Sequence, residues 1–98
     1  MNYLDSIARQ IRELVPKSEL PEEDTHTLFR IYAVLALAKG KSVAATDVHN
    51  AWVAWMLGID PKHDALLPFA ELDEATAADD LVYVEAIRAV SPTLDSQQ

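Results

Sequence analysis

Residues 31–38, Ile31-Tyr32-Ala33-Val34-Leu35-Ala36-Leu37-Ala38, are apolar almost all the way round a helix. A helix with so little wet surface is buried on most sides, so this one is expected at the centre of a helical bundle. Its start falls at Asp24 or Thr25, either of which can accept a bond from an orphan amide. Its end falls at Lys39, which suits the negative helix terminus, with Gly40 as a left-handed stop. The run is far shorter than the roughly 20 residues that span a bilayer, so no membrane segment is expected.

Three more helices follow from spacing. Leu4, Ile7, Ala8, Ile11, Leu14 and Val15 recur at three- and four-residue steps, predicting a helix over 2–15 that Pro16 ends. Residues 16–24 are polar with two prolines and read as a connection. A third helix is predicted from Thr46, as N-cap, to Leu57 before Gly58. At about 100° per residue, Val48, His49, Ala51, Trp52, Val53, Trp55 and Met56 cover more than half its circumference. Residues 58–72 contain Pro61 and Pro68 and cannot form one helix, although a single turn fits His63–Leu67. Asp73 caps a last helix over 74–90, with Val82, Tyr83, Ala86, Ile87 and Val90 inward and Asp79 on the same stripe. The tail 91–98 reads as flexible. No internal repeat or strand-like alternation is visible. The expected fold is all-α: one domain over 1–90, a bundle of four main helices with a proline-containing irregular loop before the last.

Composition bounds the chemistry. The chain has 98 residues, half of them hydrophobic, and no cysteine, which fits a compact domain without disulfides or thiolate sites. The opening Met1-Asn2-Tyr3-Leu4-Asp5 has no basic stretch followed by an apolar one, so a cytoplasmic location is expected. The net charge of −8 is uneven: residues 1–49 carry six Lys/Arg against seven acids, and residues 50–98 carry Lys62 and Arg88 against nine. Nucleic-acid binding needs cations to displace phosphate counterions and is not expected. An acidic half is either a solvated face or a surface for a basic protein partner.

No catalytic constellation stands out. His26, His49 and His63 are not spaced to share a helix turn, and neither a metal nor another cofactor is expected. Serines 6, 18, 42, 91 and 96 lack a strand-to-helix Gly-x-Ser-x-Gly context. Gly40 and Gly58 alone cannot build a phosphate loop. Glu22-Glu23 and Asp79-Asp80 read as surface charge, so the chain is not expected to be an enzyme.

His49, Trp52 and Met56 follow i, i+3, i+7, with Trp55 beside Trp52. This pattern reads as core packing or as an aromatic wall on which a planar base stacks. Both hold if one indole is buried and the other lines a cleft. His63 either bonds nearby backbone or faces a ligand. Lys62 either meets a ligand phosphate or neutralises Asp60 and Asp64.

The motif His49-x-x-Trp52, followed by His63-x-x-Leu66-x-Pro68-Phe69-x-Glu71-Leu72, resembles the signature of the ryanodine-receptor repeat (RyR) domain family. The resemblance covers roughly 20–90 and suggests a small bacterial or phage-type member. Pro21 with Asp24-Thr25 is similar to that family's proline-containing opening segment, and Asp80 falls where it often has an acid. Val53 to Pro61 is shorter than in the family and lacks its Gly-Trp-x-Tyr-Gly stretch. The resemblance implies a non-enzymatic helical module for an adenine-type or signalling nucleotide and carries over His49, Trp52, His63 and Phe69; together with Trp55 and Lys62 from the aromatic and charge pattern above, these are the candidate ligand-binding residues. It also implies that Pro68 and Phe69 fix the loop against the helices. The competing expectation is an acidic protein-interaction module, a regulator or inhibitor, with a homodimer as its self-associating version.

Overall fold

The computed structural model describes residues 2–21 and 23–97, with side chains described up to Ser91. Four α-helices, α1 (Tyr3–Leu14), α2 (His26–Lys39), α3 (Ala45–Leu57) and α4 (Glu74–Gln97), make up the all-α fold, and no strand occurs among the described residues. Short 3₁₀ turns stand at Lys17–Glu19, Gly40–Ser42 and Phe69–Glu71.

Asn2 caps α1, its side-chain oxygen accepting from the Asp5 amide at 2.8 Å. Ile7, Ala8 and Ile11 face inward, while Leu14 turns to solvent because the stripe drifts off the contact face at the last turn. α2 touches all three other helices, as an apolar segment should, through Leu28, Phe29, Tyr32, Ala33 and Ala36. It is not sealed all round: Val34 and Leu37 are exposed. α4 also meets the other three helices, burying Tyr83, Val84, Ala86, Ile87 and Val90. It extends beyond the end at Val90 read from the sequence and reaches Gln97, so the stretch taken for a flexible tail is helical as far as Gln97, and Gln98 lies outside the described residues. Within it, the Ser91 hydroxyl donates to the Ile87 carbonyl at 2.9 Å.

α3 starts one residue before the Thr46 cap expected from the sequence. Ala44 occupies the cap position, and the Asp47 carboxylate accepts from its amide at 2.8 Å. That bond and the Lys39 ammonium at 3.0 Å hold the Asp47 carboxyl below its ordinary range. The α2–α3 connection is pinned from α4, where Arg88 donates to the Val43 carbonyl from Nε (3.1 Å) and Nη2 (2.7 Å).

The two glycines do different work. Gly40 has φ +54° and ψ −126°, a region closed to L side chains, whereas Gly58 is in the ordinary helical region. Gly40→Ala is therefore expected to cost about 1–3 kcal/mol in urea unfolding, with no clash needed, since the added Cβ would meet only Ser91 at 3.8 Å. Gly58→Ala should be close to neutral.

Candidate functional site

One face of α3, the loop 58–72 and the first turns of α4 enclose a cleft of about 290 Å³. Its depth comes from His49, which is buried and tethers the loop. Nε2 lies 2.6 Å from the Leu67 carbonyl oxygen, an acceptor only, so Nε2 donates. Nδ1 faces Asp80 Oδ2 of α4 at 3.6 Å. The imidazole also stacks on Trp52 (centroids 5.7 Å apart, 21° between planes) and lies 6.2 Å from the Phe69 ring. One side chain thus joins α3, the loop and α4.

Trp52 is half-buried and forms one wall. The His63 ring meets it edge-on at 5.0 Å and is fixed by accepting the Ala65 amide on Nδ1 at 3.0 Å. The opposite wall is acidic, with Asp79 and Asp80 on α4 and Glu19 on the 3₁₀ turn. Tyr83 donates to the Glu19 carbonyl at 2.7 Å and so holds that turn against α4.

Tyr32 closes the floor. Its ring packs 5.3 Å from Tyr83 and 5.4 Å from Phe29, and the residue is 1 % exposed. Its hydroxyl has no hydrogen-bond partner among the described residues. Tyr32 is among the residues that line the cleft. Burial raises the Tyr83 hydroxyl to about 12 and the Tyr32 hydroxyl higher still, so both are proton donors throughout the physiological range.

Asp80 is the electrostatically unusual group. Burial pushes its carboxyl up to about 6, with neighbouring Asp79 adding to the rise and His49 opposing it. The folded chain therefore holds this proton more tightly than the unfolded one. The resulting stability is complete below the ordinary carboxylate range and is lost as pH rises through about 6. Asp80→Asn is expected to unfold at the parent's urea midpoint near pH 4, and to be about 1 kcal/mol more stable than the parent at pH 8 once solvent at the cleft mouth is allowed for.

Of the residues singled out from sequence, His49, Trp52 and His63 converge on the cleft. Trp55 does not: it is 7 % exposed and belongs to the core. Phe69 lies behind His49 as packing, and exposed Lys62 stands outside the lining, its amide donating to Asp60 at 3.1 Å. Sequence reading missed Tyr32, Tyr83 and Glu19 as cleft residues. Asp79, expected on the inward stripe of α4, is exposed, and it is Asp80 that turns partly inward beside Tyr83.

A second depression, about 380 Å³, lies between α1 and the start of α2 and includes Arg9, Arg12 and His26. Its acid, Asp5, is engaged by Arg30 at 2.6 and 3.1 Å. Among the described residues, no group of three or more His, Cys, Asp or Glu side chains could hold a metal ion, and no helix is long and apolar enough to cross a membrane.

No curated protein and no solved structure matched the chain. One family model matched, over residues 2–92, and it is not that of the RyR domain. The resemblance drawn from the two histidine motifs is thereby corrected. Those residues have local structural duties, His49 holding Leu67, His63 holding Ala65 and Phe69 backing His49, that produce a similar pattern without common membership. With 2–92 matched, the chain belongs to the family described as Domain of unknown function (DUF7701).

Proposed function

We propose that this domain is a non-enzymatic binding module whose cleft receives a flat, nitrogen-rich group, an adenine-type base being the leading case. The observation that carries the reading is a single cleft lined by the half-buried Trp52, by Tyr32 and by Asp79 and Asp80. A planar ring stacks on the indole while its amino groups donate to the acids. The volume, about 290 Å³, is at the small end of ligand sites and has room for a base. Phosphates stay outside, away from the carboxylates.

Titration with adenosine, AMP and ATP, followed by indole fluorescence, tests this. Adenosine is expected to bind at least as tightly as ATP, and Trp52→Ala to weaken it roughly 5- to 150-fold, the equivalent of about 1–3 kcal/mol of stacking. Undiminished binding to a folded Trp52→Ala variant would contradict the reading.

A second reading, an acidic module for a basic protein partner, is favoured by the nine acids against two cations over 50–98 and by exposed Leu57, Ile59 and Leu67 in that half. Its signature is association that weakens steeply as salt is raised. In its self-associating form, the chain elutes as a dimer.

A further inference from the structure

The cleft lacks any fixed cation from lysine or arginine, although acids line it from two elements. Asp79 and Asp80 project from α4, and Glu19 comes from the 3₁₀ turn. Among the described residues, the only basic groups in the lining are the imidazoles of His49 and His63, and each has a ring nitrogen committed to backbone. The lining also includes the Trp52 indole, whose face attracts positive charge. Tyr32 lines it too; the residue is 1 % exposed, and its hydroxyl makes no hydrogen bond among the described residues.

From this juxtaposition we infer that the cleft is selective for a planar organic cation, an amidinium or guanidinium, stacked on Trp52 and paired with the Asp80 carboxylate. The inference rests on the binding reading above and narrows its ligand class. A planar cation uses every feature at once. Its face lies on the indole and its parallel N–H groups reach a carboxylate in the two-pronged geometry that such groups share. A remaining donor is left for the Tyr32 oxygen. A neutral ring stacks and can donate to the acids but brings them no opposite charge, and a carboxylate or phosphate is repelled.

The pairing makes binding pH-dependent, with a definite sign. Asp80 faces His49 from α3 at 3.6 Å and interacts with Tyr32 from α2 and with Asp79 and Tyr83 on its own helix; His63 from the loop and Glu19 from the 3₁₀ turn line the same cleft. Below about 6 the Asp80 carboxyl holds a proton that the cation must displace. Affinity for a permanent cation therefore falls on acidification and levels off at neutral pH.

Benzamidine, benzamide and benzoate share one ring and differ in charge, so they separate the possibilities. Isothermal titration of the full chain at pH 7.5 is expected to show benzamidine binding roughly tenfold or more tighter than benzamide, with benzoate undetected. Lowering the pH from 7.5 to 5 should weaken benzamidine by about tenfold and leave benzamide unchanged. Asp80→Asn, which keeps the shape, should abolish both the preference and the pH dependence. Benzamide or adenosine binding as tightly as benzamidine, and through Trp52, would overturn the cation selectivity while the flat-ligand reading survives. If none of the probes or adenosine binds at about 10 mM to the folded chain, both fall.

Discussion

Phe29→Ala is expected to lower the unfolding free energy by about 3–5 kcal/mol, the range for removing a buried aromatic ring. Phe29 is 2 % exposed and sits where α2 meets both α1 and α4. Its ring meets Tyr32 edge-on at 5.4 Å and lies 6.1 Å from Tyr83. Truncation leaves a cavity that helices fixed on three sides cannot collapse, and it removes a favourable aromatic pair worth about 0.5–1.5 kcal/mol. Domains of this size are stable by only about 5–15 kcal/mol, so a large part of the total disappears. Val34→Ala, on the exposed side of the same helix, should stay within about 0.5 kcal/mol. Urea unfolding of the two variants side by side checks the claim. Equal losses would mean that α2 is not packed as described.

His49→Leu should have the second largest effect, with a pH dependence of its own. The substitution conserves apolar volume but removes the donor to the Leu67 carbonyl and the partner of Asp80. An unpaired, partly buried carbonyl and a carboxyl without its counter-group cost about 2–4 kcal/mol together. His49 opposes the rise of the Asp80 carboxyl, so without it that carboxyl should titrate above 6. The folded state then loses stability over a wider range as pH rises, and the penalty should be larger at pH 8 than at pH 5.5. Amide hydrogen exchange should show lost protection in 58–72 before the helices open. A uniform penalty at both pH values, with the loop still protected, would rule out the tether.

The helices were readable because local physics marks their ends. Pro16, Gly40 and Asp73 each stop or start a segment for a steric or hydrogen-bonding reason that needs no tertiary partner. α3 begins earlier than the Thr46 cap because Asp47 reaches back to the Ala44 amide, a bond from within the helix that spacing does not reveal. The two indoles show where reading stops. Trp52 and Trp55 sit on adjacent rows, and only the path of the loop decides that 55 is sealed while 52 borders the cleft. Tyr32 and Tyr83 look like core residues in sequence, and they are; their hydroxyl ends reach the cleft through the packing of α2 against α4. Phe69, carried in by a motif resemblance, and Lys62, singled out by its charge, stand outside it.

Amide and indole shifts in a heteronuclear NMR titration with benzamidine or adenosine locate the ligand on the fold. Shifts are expected to concentrate on the Trp52 indole, Ala65, Asp80 and Tyr83, while the Trp55 indole and the Arg9–His26 depression stay still. Shifts centred on that depression, or none at saturating probe, would contradict that placement.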